Sequence, residues 1–392
     1  MKNNIEIALV TPYPPSKTTL NEYGYYLARN LAEKPEVGRL HILSENLDIN
    51  YTSDNEKVTF QPCWKFNSMA NPLKILRKVR SVSPDIVIIN QQFLLFGDRK
   101  VAAALGLMLP FLLKLFGIRC IVLMHNILEE VDLGSAGITG SRLMKWAYGL
   151  IGNILTRFIL MADLVGVTIE KYVDVLRKKY NKKNVVLLPH GTFEIPEIPD
   201  FALSGDDRRI MTFGKFGTYK KVEVLIEAFK KLQREGVKNI SLCIAGTDSP
   251  NKKGYLGSVA REYSEVEGIE FTGYVPEEDV ARIFQESAMV VFPYTSTTGS
   301  SGVLHQAGSY GKPAILPDVG DLGRLIREEG YDGEFFAPDS VDELAAAINR
   351  LLTDEPYRQQ LARTNYEAAT ALPLSDISDW YLLHIQRLIG KK

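Results

Sequence analysis

An alternation kept up along nearly the whole chain constrains its fold more than any other feature. Short runs rich in β-branched residues, "IEIALV", "DIVIIN", "CIVLMHN", "LVGVT" and "VVLLP", are separated by stretches of helical period such as Tyr23 to Lys34 and Arg142 to Leu160. Brief apolar runs of this kind read as buried strands. A helix between consecutive strands makes them parallel neighbours, because a parallel pair needs a crossover connection. After "GTFEIPEIPDFALSGDD" the pattern restarts as "RIMTFGKF", "ISLCIAGT", "IEFTGY", "MVVFPY", "PAILPD" and "GEFFAP". Proline keeps the chain extended there and interrupts helix, which places a linker at residues 196–207. The reading is an α/β chain of two Rossmann-like doubly wound domains, 1–195 and 208–373. Ligands of such sheets bind beyond the carboxyl ends of the strands, and the two edges are expected to face one another across a cleft.

Composition excludes several classes. With 392 residues and 45% hydrophobic content the chain can bury large cores, and a net charge of -1 supplies no global attraction to nucleic acid. The three cysteines, Cys63, Cys120 and Cys243, have no metal-binding spacing, so a reducing cytoplasm is the simpler setting. Glu6 interrupts the first apolar run, and no export is expected. Val101 to Ile118 approaches the length of a membrane span, but Pro110 sits in its middle and strand-like runs flank it. A buried helix linking two parallel strands is the expectation.

Two strand ends carry candidate chemistry. In "TTGSSGVLHQAGSYGKP", Thr297 to Pro313, a Gly- and Ser-rich loop feeds a helix expected over Val303 to Tyr310. Gly299 and Gly302 permit close backbone approach, Ser300 and Ser301 offer hydroxyls, and the first free amides suit a phosphate. An N-cap turn without a ligand is the other reading. In "TFGKFGTYKKVEVLIEAF", Lys215 follows a strand while Lys220 and Lys221 stand near a helix start, where cations oppose the helix dipole. An anionic ligand, such as a diphosphate, would compensate them; three solvated lysines are the alternative.

These residues carry a family resemblance. The second half resembles the C-terminal domain of retaining GT-B glycosyltransferases of family four, through "GKFGTYKKVEVLIEAF", "IAGT", "IEFTGYVPEEDV", "ESAMVVFPY", "GVLHQAGSYGKPAILPDVGDL" and "GEFFAPDSVDELAAAINRLLTD". The first half is similar to the acceptor-side domain in "IALVTPYPP", "PDIVIIN", "VLMHN" and "VVLLPHG", and residues 374–392 to the family's last helix, which returns to the N-terminal domain. The resemblance implies a GT-B enzyme that moves a sugar from a nucleotide diphosphosugar, a UDP- or GDP-sugar, with retention at the anomeric carbon. No other cofactor is implied.

By the same resemblance Lys215 and Lys220 neutralise the donor diphosphate, and His125 reaches the transferred sugar. Gly214, Thr298, Gly299, Ser300, Ser301, Gly302, Val303 and Gln306 line the donor. No DxD triplet occurs, so lysines serve in place of a chelated metal. His190 lies near the hinge and is read as structural, and His305 as a packed core histidine. His41 and His384 carry no motif. Two family glutamates are replaced, by Thr298 and Gln306. Gln306 can still bond a ribose hydroxyl without charge, while Thr298 cannot act as a carboxylate. The first loop, "PPSKTTLNEYG", lacks the family's glycine pair and offers Lys17, Thr18 and Thr19 to phosphate or acceptor.

The acceptor implied is a glycan or a lipid-linked molecule. Arg142, Lys145, Arg157, Lys171, Arg177, Lys178, Lys179, Lys182 and Lys183, set against Asp163, Glu170 and Asp174 and interleaved with Trp146, Tyr148, Leu150 and Ile151, read either as a peripheral contact with anionic lipid on the inner membrane face or as a solvated helix pair. Two other readings stay open: a catalytically inactive GT-B partner protein that binds nucleotide sugar, and a GT-B sugar-nucleotide epimerase. A dinucleotide oxidoreductase lacks its GxGxxG after the opening strand.

Overall fold

The computed structural model describes residues 4–16, 18–47, 51–130, 142–203, 208–249, 252–296, 301–319 and 322–390. The chain divides into two compact units, Met1–His190 with Leu374–Lys392, and Gly191–Pro373.

In the first unit the chain runs β1 (Ile5–Val10), α1 (Asn21–Glu33), β2 (Val37–Leu43), β3 (Val58–Phe60), α2 (Asn71–Val82), β4 (Ile86–Gln91), α3 (Lys100–Leu107), α4 (Leu109–Leu115) and β5 (Cys120–Met124). It continues through α5 (Arg142–Ile159), β6 (Leu164–Val167), α6 (Glu170–Tyr180) and β7 (Val185–Leu187). The seven strands form one parallel sheet in the order β3-β2-β1-β4-β5-β6-β7. β4, β5 and β6 are buried along their whole length, so their continuous apolar runs fit a sheet covered on both faces.

The apolar stretch from Val101 is two helices, not the single one expected. Pro110 takes an N-terminal position of α4, where its missing N–H costs nothing, and Met108 is the junction. Leu107, Leu109 and Leu113 are buried. Among the described residues no helix is long and apolar enough to cross a membrane.

The second unit contains β8 (Arg208–Phe216), α7 (Glu223–Arg234), β9 (Ile240–Asp248), α8 (Tyr255–Glu262), β10 (Ile269–Gly273), α9 (Glu277–Gln285), β11 (Met289–Val291) and α10 (Gly302–Ser309). β12 (Ala314–Pro317), α11 (Leu322–Glu329), β13 (Gly333–Phe336), α12 (Val341–Thr353) and α13 (Glu355–Thr370) complete it. Its parallel sheet has the order β10-β9-β8-β11-β12-β13, with separate apolar cores on its two faces. The described part of the expected linker packs against this unit: Tyr366 donates to the Pro196 carbonyl at 3.1 Å and Arg358 to that of Phe201 at 3.2 Å. The last helix, α14 (Leu374–Gly390), belongs to the first unit, where Lys34 pairs with Asp379 at 2.6 Å.

β8 and β9 pair through two glycines facing one another. Gly214 and Gly246 are register partners, both at positive φ (141° and 131°). A Cβ on Gly246 would stand 1.9 Å from the Gly214 carbonyl oxygen. Gly246→Ala therefore combines backbone strain with a collision against main chain and is expected to cost about 2–5 kcal/mol. A fall in the urea unfolding midpoint at unchanged m-value measures it; an unchanged midpoint contradicts this packing.

Candidate active site

Each sheet reverses its strand order once, between β1 and β4 in the first unit and between β8 and β11 in the second. Loops leave such neighbours in opposite directions, opening a crevice beyond the carboxyl ends. The candidate side chains gather around these two places.

In the first unit Thr11 follows β1, Asn90 is in β4, and His125 follows β5. The Thr11 hydroxyl donates to the Pro12 carbonyl at 2.9 Å and so accepts from the Asn90 amide at 3.0 Å. This turns the Asn90 oxygen toward His125 Nε2, 2.7 Å away. An amide oxygen only accepts, so Nε2 carries the proton and Nδ1 keeps its lone pair. Nδ1 has no hydrogen-bond partner among the described residues. Thr11 and Asn90 are fully buried. Gly24 of α1 leaves room for them, since a Cβ there would lie 2.3 Å from the Thr11 hydroxyl. Tyr23 and His190 pack edge-on against the imidazole, with centroids at 4.5 and 5.8 Å. Burial first, then His190, holds the His125 pKa well below 6.5, so the ring is neutral and presents an acceptor.

The first loop has an acidic anchor that was not expected. Glu45 is buried and accepts from Ser16 and Thr18, each at 3.0 Å, and from the Phe66 amide at 3.3 Å. The Thr18 hydroxyl is thus engaged. Thr19 is half-buried, and Lys17 lies outside the described residues.

In the second unit the loops after β8 and β11 are zipped together. Lys220 and Tyr294 form an antiparallel bridge, Lys221 N–H donates to the Pro293 carbonyl at 3.0 Å, and Thr295 N–H to that of Tyr219 at 2.8 Å. Lys220 Nζ lies 4.6 Å from the Tyr294 ring centroid and 5.9 Å from that of Tyr219. It fills the space above Gly214, where a Cβ would stand 2.9 Å from it. No carboxylate pairs with it among the described residues. Burial lowers its pKa from 10.5, opposed by Tyr219. Lys220 precedes the N-cap of α7, Val222, whose amide donates to the Tyr255 hydroxyl at 2.9 Å. Lys215 is half-buried in β8.

α10 begins at Gly302 with Ser301 as N-cap, no side chain caps it, and the Gly302 and Val303 amides meet no acceptor among the described residues, which leaves them to an anion. The buried Tyr294 hydroxyl interacts with Ser301 without completing a hydrogen bond. Gln306 is buried, and its side-chain amide bonds no described residue. Thr298, Gly299 and Ser300 lie outside the described residues. His305 is packed in the core, 2.9 Å from the Tyr331 hydroxyl and 3.5 Å from Glu329, whose pKa burial pushes up to about 8. The switch points thus bring in three groups the sequence did not mark, Asn90, Glu45 and Tyr294. Only the strand-end position of Asn90 and Tyr294 pointed to them.

Residues 195–368 match the sequence model of the family described as glycosyl transferases group 1. This match takes in less than half of the chain, and within it residues 195–368 are similar to a group 1 glycosyltransferase domain. Alpha-D-kanosaminyltransferase of Streptomyces kanamyceticus is 30% identical over 177 residues, which are 44% of this chain and 43% of that protein. The match therefore spans less than half of the relative's length. Sucrose-phosphate synthase from Thermosynechococcus elongatus superposes with a TM-score of 0.73 at 17% identity, covering 98% of this chain and 99% of that one. Anabaena HepE in complex with UDP-glucose superposes with a TM-score of 0.67 at 13% identity, covering 98% and 100%. The fold is that of GT-B glycosyltransferases, with two Rossmann-like parallel-sheet domains.

The Thr11–Asn90–His125 chain makes a spectroscopic prediction. Nitrogen-15 NMR is expected to find His125 in the neutral Nε2–H tautomer throughout the neutral range. Asn90→Asp, which places a carboxylate on Nε2–H, is expected to bring its titration up into that range. Ordinary titration of His125 in the unaltered chain contradicts the arrangement.

Proposed function

We propose that the chain transfers a glycosyl unit from a nucleotide diphosphosugar to a glycan or lipid-linked acceptor, with retention of anomeric configuration. The observation that carries this reading is Lys220, a desolvated cation without a carboxylate partner among the described residues, its loop zipped to the one that leads into α10, within the stretch that matches the group 1 family. A diphosphate meets both needs. Lys215, Lys220 and the amides of Ser301 and Gly302 take its charge. Gln306 bonds a ribose hydroxyl, and Gly214, Thr298, Gly299, Ser300 and Val303 line the donor. His125 accepts from a sugar hydroxyl through Nδ1. Glu45 holds Ser16 and Thr18 of the first loop, and Lys17, Thr18 and Thr19 are read as its contacts to phosphate or acceptor. The UDP-glucose bound to HepE supports a nucleotide sugar of this kind.

In the step itself the bond from the anomeric carbon to the phosphate oxygen breaks, and the acceptor oxygen bonds the same carbon from the same face. The acceptor's proton passes to the leaving phosphate. Negative charge grows on that phosphate, so Lys220 interacts more strongly with the transition state than with the bound donor. The two lysines do the work of a chelated cation, and turnover is expected to survive EDTA. The reduced cysteines Cys63, Cys120 and Cys243 fit a cytoplasmic setting.

Thr298 and Gln306, in place of the family's glutamates, favour one second reading, a GT-B protein that binds nucleotide sugar without turning it over. A thermal-shift screen of UDP-, GDP-, ADP- and dTDP-sugars, with mass spectrometry of the stabilising donor with and without acceptor extract, separates the two. Stabilisation with donor consumption supports transfer, stabilisation alone the second reading, and no stabilisation overturns both.

Lys220→Ala is expected to lower kcat/KM by about 10²- to 10³-fold with an unchanged melting temperature. Because burial lowers the Lys220 pKa, the ammonium is charged below that pKa and neutral above it. Donor affinity is therefore expected to fall as pH rises through the lysine's titration, which burial moves below its ordinary range. Lys220→Ala is expected to abolish that alkaline limb in calorimetric titrations of donor binding.

A further inference from the structure

Asn90 holds one edge of the His125 imidazole, but a single hydrogen bond does not fix the plane of the ring. The terminal torsion of a histidine is soft, so a ring held at Nε2 alone still tilts. Its plane decides where the Nδ1 lone pair points. Tyr23, His125 and His190 form a closed triangle of rings. Tyr23 stands edge-on to His125 at 4.5 Å and 81°, and to His190 at 4.8 Å and 68°, while His125 and His190 meet at 5.8 Å and 74°. Edge-to-face contact is a favoured geometry for such rings, and within a closed triangle no ring tilts without displacing the other two. Tyr23 and His190 are buried and His125 is half-buried, so the two outer rings act as walls around the imidazole.

Tyr23 is held from two sides. On α1 it shares the buried face with Gly24, Leu27, Ala28 and Leu31, and Gly24 lies against the Thr11 hydroxyl. Two consecutive residues of α1 thus meet both ends of the Thr11–Asn90–His125 chain. From the other side comes α14, whose Tyr381 is fully buried and whose hydroxyl interacts with that of Tyr23. The Lys34–Asp379 pair, at 2.6 Å, joins the same stretch of chain to the same helix. Burying a hydroxyl is costly without a partner, so the tyrosine pair fixes how Tyr23 lies across α14.

We propose that Tyr23, backed by Tyr381 of α14, is a positioning residue whose ring sets the plane of the His125 imidazole and so the direction of the Nδ1 lone pair. The last helix of the chain thereby bears on the site of the first unit from behind. The effect on turnover rests on the reading of His125 as the group that meets the sugar. The orientation of the ring does not, since it is a property of the protein alone.

Nitrogen-15 NMR of the full chain reads that orientation without any transfer reaction. The unaltered chain is expected to show His125 as a single Nε2–H species. Tyr23→Leu, which removes the ring, is expected to give a mixture of the two neutral tautomers, and Tyr381→Leu to reproduce that mixture from α14. Tyr23→Phe/Tyr381→Phe keeps both rings and removes both hydroxyls together, so it is expected to restore the single species. In turnover, Tyr23→Leu is expected to lower kcat about tenfold with the donor KM little changed, and the phenylalanine pair to recover it. A tyrosine that served only the core would lower the unfolding midpoint and leave the tautomer alone. Should Tyr23→Leu not fold, Tyr23→Met carries the same readings. A single Nε2–H species once the Tyr23 ring is gone overturns the proposal, as does a mixture in the phenylalanine pair, and an unchanged spectrum in Tyr381→Leu overturns the backing by α14. The expected spectra in a chain that consumes no sugar leave the positioning standing and count only against the enzymatic reading.

Discussion

Parallel strand pairing is the constraint from which the rest follows. Every parallel neighbour requires the chain to cross over the sheet, so helices cover both faces and only the strand ends remain for chemistry. Where the order reverses, two adjacent strands send their loops apart, and the backbone leaves a crevice without spending any side chain on it. Both units use this place. Thr11 and Asn90 come from the strands on either side of the reversal in the first unit, with His125 beside them, and Lys220 and Tyr294 from the loops on either side in the second.

At these two places burial acts in opposite senses on the groups held there. His125 is kept neutral, since water is withdrawn from it and its one strong hydrogen bond uses an amide rather than a carboxylate. Lys220 is brought against aromatic rings that favour its charge yet cannot neutralise it. The protein thus holds an acceptor in one unit and an unneutralised cation in the other. Among the described residues no carboxylate bonds the His125 ring or pairs with Lys220.

The alternation of strands and helices was legible because parallel strands buried on both faces need unbroken apolar runs, and the crossovers need helical period. Pro110 signalled an interruption, but the turn at Met108 that makes two helices depends on packing against α2 and α5. Lys215, Lys220, Gln306 and His125 were visible from motif position. Their partners were not. Asn90 meets Thr11 across 79 residues, and Tyr294 meets Lys220 across the turn of a sheet. Such pairs exist only once register is set, and an asparagine at a strand end resembles any other. For α5 the sequence showed cations mixed with apolar residues, and the bonds of Thr156 to Glu129 and of Asn153 to Tyr180 reveal which side of the helix is turned inward.

The return of α14 to the first unit has a consequence for how the molecule is made. The second unit is one contiguous segment whose ends meet, the Thr192 amide donating to the Leu372 carbonyl at 2.9 Å beside the Thr192–Pro373 bridge. It can close as soon as its own residues have left the ribosome. The first unit, begun earlier, cannot. Leu374, Ile377, Tyr381 and Ile385 are all fully buried in it, so until the last helix is synthesised the first unit carries an uncovered apolar strip along α1. The unit whose strands come first in the chain is therefore completed only by a helix that follows the whole of the second unit.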